Sequence, residues 1–238
     1  MSNKNHVCSP WCDCSREGGD IAVCDRQLVP TAEMMHATAP VARVAPCVSD
    51  LSPNEALELL YAGNRRFAAG QPQAPNRDLD RLKEVATEQR PFAAILACAD
   101  SRVPVEILFD QGFGDLFVTR IAGNVTTPEC IGSLEFGTRV LGAKVLYVLG
   151  HTNCGAVTAA VNGVSKSGPI NSLFQHLRGA VQAAKGDVSK AIQENVKTQA
   201  ALLSQTSPDI AQLVNDGKLK IAGGVYNIST GTVVPVEL

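Results

Sequence analysis

Two short apolar runs, each emptying into side chains that bind metals, constrain this chain more than any other feature. Phe92-Ala-Ala-Ile-Leu-Ala97 leads into Cys98-Ala-Asp100-Ser-Arg102, and Lys144-Val-Leu-Tyr-Val-Leu-Gly150 leads into His151-Thr-Asn-Cys154. Apolar runs of this length that end in small or polar residues read as buried strands opening into loops. Side by side in a parallel sheet, two such strands deliver Cys98, His151 and Cys154 to one end. That end, beyond the strand C-termini, is where open α/β sheets place their sites. Taken singly, a buried Cys is usually a small hydrophobe, and a lone His is usually a core residue. Taken together, two thiolates and one imidazole form a catalytic zinc complement, because a closed structural site needs a fourth protein ligand. The fourth position is left to water or to Asp100.

The pattern along the rest of the chain predicts an α/β fold. Its mostly parallel central sheet carries helices on both faces and an antiparallel edge strand. Residues 1–50 form a Cys-rich extension (Cys8, Cys12, Cys14, Cys24, Cys47) without sustained periodicity, and 51–238 form the zinc domain. Ser52-Pro53 reads as a helix start with Pro in the first turn, and the apolar spacing that follows ends at Gly70. Residues 71–78 read as a loop and 79–88 as a short polar helix. Strands are expected at 92–97, about 115–119, 144–149, 218–226 and 232–236, and Pro235 confines the last of them to an edge. A short helix is expected from Pro104. Longer ones are expected at 129–141, 155–163, 169–184, 187–204 and 208–215, so that strands and helices alternate.

The segments Cys98-Ala-Asp-Ser-Arg-Val-Pro104 and Gly150-His-Thr-Asn-Cys-Gly-Ala156 resemble the two signature motifs of β-class carbonic anhydrases. The likeness continues through Asp115 to Asn124 and Gly132 to Phe136, and covers about residues 51 to 231. It implies reversible hydration of carbon dioxide to bicarbonate and a proton by a zinc-bound hydroxide. Zinc would be held by Cys98, His151 and Cys154, with Asp100 and Arg102 as a catalytic dyad. Zinc lowers the pKa of a bound water, an effect for which carbonic anhydrase is the standard example. Asp100 can accept the hydrogen bond of that hydroxide, and Arg102 can hold the carboxylate through a guanidinium fork, which Lys cannot imitate.

The same resemblance implies a homodimer or a larger homo-oligomer, with the helix at 53–69 packing onto the partner. It matches Gln89 to a substrate hydrogen-bond donor that points across the dimer interface, and Phe117 to an apolar pocket position. Gln89 also reads as a loop residue before Pro91, and Phe117 as an ordinary strand-core residue. In a regulated subgroup the motif Asp swings onto zinc, and a non-catalytic bicarbonate site is built from a Trp, an Arg and a Tyr. Arg120 and Tyr226 match two of these positions, but Ile95 stands where the Trp would be. The expectation is therefore an open site whose fourth position is water. Gly123 and Asn124 read as a tight turn with a structural role.

Composition fits this reading and excludes others. With 238 residues, 45% of them hydrophobic, the chain can bury a sizeable core. A net charge of −2 with no basic stripe leaves no surface for nucleic acid. No apolar run approaches the roughly 18 residues of a membrane span. No signal peptide is visible, and a zinc site built on thiolates suits a reducing compartment, so the cytoplasm is expected. The Cys-rich leader reads as a solvent-exposed tail, a docking or redox segment, or a second metal site with His6. Two other functions stay open: hydrolysis of carbon disulfide or carbonyl sulfide on the same scaffold, and a non-catalytic protein stapled by zinc. A staple has no need of Asp100 and Arg102.

Overall fold

The computed structural model describes residues 51–164 and 167–238, so the expectation for residues 1–50 lies outside the described residues. The first helix, α1 (Pro53–Ala68), begins with a reciprocal cap. The Glu55 amide donates to Ser52 Oγ at 3.3 Å, and the Ser52 amide donates to Glu55 Oε2 at 2.8 Å. The chain then forms α2 (Leu79–Glu84), β1 (Ala93–Ala97), α3 (Val105–Leu108), β2 (Leu116–Arg120), α4 (Pro128–Glu135) and β3 (Val145–His151). It continues as α5 (Gly155–Val161), α6 (Ile170–Ala184), α7 (Val188–Thr206), α8 (Pro208–Asn215), β4 (Lys220–Tyr226) and β5 (Val233–Pro235). Side chains of Asp78, Thr127, Asp187 and Ser207 cap four of the later helices by accepting from the amide three residues on.

The strands lie in the order β2-β1-β3-β4-β5. The first three pairings are parallel and β4–β5 is antiparallel, as the sequence led one to expect, with Pro235 on the edge strand. Every residue of β1 and β3 is buried, which parallel strands covered on both faces require. Alternation divides them between two layers. Ile95, Tyr147 and Leu149 pack against Leu60 of α1 and against Val105 and Leu108 of α3. Leu96, Leu146 and Val148 face Leu134 of α4, Val196 and Leu203 of α7, and Ile210 of α8. A third cluster at the strand C-termini gathers Val125, Val157, Leu177 and Ile192 around Cys98 and Cys154. No helix among the described residues is long and apolar enough to cross a membrane.

Two close approaches explain particular residues. A Cβ on Gly63 would lie 1.8 Å from the Phe109 carbonyl oxygen, so α1 can meet the end of α3 only through a glycine. The neighbouring Asn64, 5% exposed, donates from Nδ2 to Leu108 O (3.0 Å) and Gly231 O (2.9 Å). Its Oδ1 accepts from the Val233 amide at 2.8 Å, which ties α1 to β5.

Two expected helices differ from the sequence reading. The polar helix expected over 79–88 stops at Glu84, because it buries no side chain and has only propensity to sustain it. The helix expected over 129–141 ends at Glu135 and continues as a π-type turn over Phe136–Val140. There Thr138 Oγ1 donates back to the Leu134 carbonyl at 2.8 Å, and Gly137 sits so close that a Cβ would be 2.7 Å from Phe117 Cδ1. The extra residue in the turn lets the chain pass over β2.

Tyr147 is fully buried at the centre of β3, edge-on to Tyr61 and Phe109, with centroids at 6.1 and 5.7 Å. Its hydroxyl has no hydrogen-bond partner among the described residues. An unpartnered buried hydroxyl costs stability, so Tyr147→Phe is expected to stabilise the fold by about 1 kcal/mol. A higher urea midpoint at unchanged slope would register the gain.

Candidate metal centre

The centre is assembled by strand pairing. Ala97 of β1 stands opposite Leu149 of β3, so Cys98, the next residue, is level with Gly150 and one step from His151. After His151 the chain turns through Thr152 and Asn153, the latter in the left-handed region (φ 56°), and returns Cys154 to the start of α5. The turn is held from β4: the Thr152 amide donates to Tyr226 O at 2.9 Å, and the Ile228 amide donates to Thr152 Oγ1 at 3.1 Å. The ligand atoms of Cys98, His151 and Cys154 lie within 4.8 Å of one another, and all three residues are buried.

The donor atoms fit a metal ion. His151 Nδ1 lies 2.9 Å from the Thr152 carbonyl oxygen. A carbonyl only accepts, so the proton sits on Nδ1 and the lone pair on Nε2. That Nε2 is buried without a partner, an arrangement that costs free energy unless something else occupies the lone pair. The two sulfurs are similarly poised. The neighbouring Cys154 thiol holds the Cys98 thiol well below the usual thiol range, and the amides of Gly123 and Asp100 also favour its thiolate. The Cys98 sulfur, together with burial, pushes the Cys154 thiol up. A divalent cation would take both sulfurs as thiolates.

Asp100 and Arg102 face each other beside this group. Arg102 donates from Nε to Asp100 Oδ1 (3.0 Å), from a terminal nitrogen to Oδ2 (2.8 Å), and from its amide to Oδ1 (2.9 Å). These bonds hold the Asp100 carboxyl well below the usual carboxylate range, with the Arg102 side chain the chief cause. The same guanidinium reaches the Asn153 carbonyl at 3.3 Å and so links the two motif loops. Asp100 Oδ2 comes within 3.9 Å of His151 Nε2.

Other residues divide between those brought to the centre and those left away from it. Arg120, matched in the sequence to a bicarbonate site, donates to the main-chain oxygens of Cys98 (3.0 Å) and Asp100 (2.5 Å) and so braces the first motif loop. Ile95 is a fully buried core residue of β1. Gly123, read from the sequence as a turn residue only, also donates its amide to Cys98 Sγ at 3.3 Å. Its neighbour Asn124 shares the left-handed backbone of the turn. Their signal in the sequence was Gly-Asn after a strand, which announces a turn but not what the turn touches. Gln89 is exposed before β1, at the opposite end of a strand about 16 Å long. Phe117 lies half-buried in β2 with its ring 6.2 Å from that of Phe136. Neither reaches Cys98, His151 or Cys154 of its own chain.

A family model described as carbonic anhydrase matches residues 93–233, from β1 to the start of β5. Carbonic anhydrase 2 of Mycobacterium tuberculosis is 37% identical over 191 residues, which are 77% of this chain and 92% of that protein. The structure of a Coccomyxa β-carbonic anhydrase in complex with acetazolamide is similar at a TM-score of 0.59 and 30% identity. It covers 79% of this chain and 86% of its own. A tetrameric β-carbonic anhydrase from Sordaria macrospora shares the fold at a TM-score of 0.63 and 19% identity, covering 76% of this chain and 97% of its own. The chain carries the family's two motifs on the family's sheet, and it belongs to the β-class carbonic anhydrases.

Proposed function

We propose that this carbonic anhydrase interconverts carbon dioxide with bicarbonate and a proton at a zinc ion held by Cys98, His151 and Cys154, with Asp100 and Arg102 directing the attacking water. The observation that carries the proposal is the buried, unpartnered Nε2 of His151 facing two cysteine sulfurs, with the Asp100–Arg102 pair alongside. Zinc, when bound there, supplies a Lewis acid that makes water a nucleophile near neutral pH, an effect for which this enzyme class is the standard example. The chain's own residues do the rest. Asp100, held ionised by Arg102, can only accept hydrogen bonds. A water beside it would donate a hydrogen bond to the carboxylate and so turn a lone pair towards the substrate carbon. Arg102 meanwhile occupies both carboxylate oxygens and keeps Asp100 from turning towards the metal ligands. Val125, Val157, Leu177 and Ile192 pack around the cysteines and exclude bulk water from their sulfurs.

The active unit we propose is a homodimer, with larger assemblies built from it. On its outer side β2 is the open edge of the sheet. Exposed Leu82, Phe113, Phe136 and Val140 support this reading. A second copy would cover such an apolar surface. Gln89 lines a groove of about 890 Å³ with Leu82, Phe113 and Val140. In the dimer, Gln89 and Phe117 would serve the partner's substrate pocket. Cys98, Cys130 and Cys154 are free thiols, which accords with the reducing, cytoplasmic setting proposed.

Stopped-flow hydration of carbon dioxide, run beside sulfide release from carbon disulfide and carbonyl sulfide, tests the reading. Fast hydration supports it, and sulfide release without hydration overturns it. Cys98→Ser and His151→Ala are expected to lose zinc and activity together, as elemental analysis of the folded variants would record. Asp100→Asn is expected to keep zinc while kcat falls on the order of 100-fold or more. Arg102→Lys should fall between that variant and the parent, since one ammonium replaces a two-pronged fork.

A further inference from the structure

Helix α7 covers the sheet with Val196, Ala200 and Leu203, yet it also buries two carboxamides, Asn195 and Gln199, at 1% and 0% exposure. Four residues apart, they lie on one face of the helix. Buried amides are destabilising unless their hydrogen bonds are met, and here the bonds form a directed chain. Gln199 Oε1 accepts from the Thr126 amide (2.8 Å) and from Thr126 Oγ1 (2.7 Å). A backbone N–H only donates, so this atom is the oxygen and Nε2 is the donor on the other side. Nε2 donates to Asn195 Oδ1 at 2.9 Å and to the His176 carbonyl at 3.4 Å. Asn195 Nδ2 is then left to donate to the Gly123 carbonyl at 2.8 Å.

Gly123 is the residue whose amide meets Cys98 Sγ. Its φ of 77° belongs to the left-handed region, and a Cβ there would meet Ala156 Cβ at 3.3 Å. A glycine in an open turn is free to reorient. This one is gripped by its carbonyl from α7 while its amide faces the sulfur. Resting on the metal reading of Cys98, we infer that Asn195 and Gln199 are positioning residues: through the Gly123 carbonyl they aim the Gly123 amide at the Cys98 sulfur and so set that thiolate's orientation and donor strength toward the metal. Partners beyond the ligands commonly tune a metal site, and losing one typically costs 10- to 100-fold in affinity.

Cadmium-113 substituted for zinc in the whole protein tests this by NMR. A scalar coupling between the Gly123 amide proton and the ion passes only through an N–H···S hydrogen bond, and it is expected in the parent protein. Asn195→Leu and Asn195→Ala, neither of which can donate to the Gly123 carbonyl, should both lose the coupling. They should also lose zinc affinity by roughly 10- to 100-fold in competition with a chelator. Val196→Ala, a packing change on the same helix, should lower thermal stability but keep the coupling. Stoichiometric cadmium uptake without the coupling in the parent overturns the proposal alone, whether or not any variant folds. Retention of coupling and affinity in a folded Asn195 variant overturns it too. Absence of cadmium uptake overturns the metal reading, and the proposal with it.

Discussion

The parallel pairing of β1 with β3 is the constraint on which this molecule rests. Opposing Ala97 to Leu149 determines that Cys98 emerges beside His151, although they are more than fifty residues apart in the chain. A slip of either strand by one residue would turn that strand's side chains to the opposite layers and carry the sulfur away from the imidazole. Both strands are buried on two faces, so any such slip would set each side chain against close-packed neighbours that it does not fit. The burial that stabilises the sheet is therefore also what brings Cys98, His151 and Cys154 together.

Around that junction, polar groups are spent on orientation. Arg102 holds the carboxylate of Asp100, Arg120 holds the main chain of the same loop, and Tyr226 and Ile228 hold the second loop through Thr152. Each contact reaches the centre from a different element, and each is bonded to atoms that a metal ion leaves unused. Among the described residues, the one buried ring nitrogen without a partner is the one facing the sulfurs. Preorganisation of this kind holds two sulfurs and an imidazole close together, in a group that could hold a cation.

Much of this was legible before any coordinates. The apolar runs announced the buried strands, Ser52-Pro53 announced α1, and Pro235 announced the edge of the sheet, because each signal acts through local backbone chemistry. That Cys98, His151 and Cys154 would come together was legible because thiol and imidazole side chains at strand ends have few other uses. The termination of α2 at Glu84 was not, since its polar stretch lacked any packing partner and nothing local marks that lack. Nor was the π-type turn after α4, which exists because Gly137 must pass Phe117, a residue in another strand. Nothing local marks Asn195 and Gln199 for burial, which depends on where α7 comes to lie.

The sequence by itself determined which segments would be strands and helices, which side chains could bind a metal, and which carboxylate would have a guanidinium two residues away. Those properties follow from periodicity, capping and side-chain chemistry over short distances. Only the tertiary structure decided that Gly123 would touch a sulfur, that Arg120 would brace a loop, and that Gln89 would stand at the far end of its own strand from the metal ligands. Such contacts are set by the order and register of strands, a cooperative outcome of burying the whole core at once, and no local pattern encodes them.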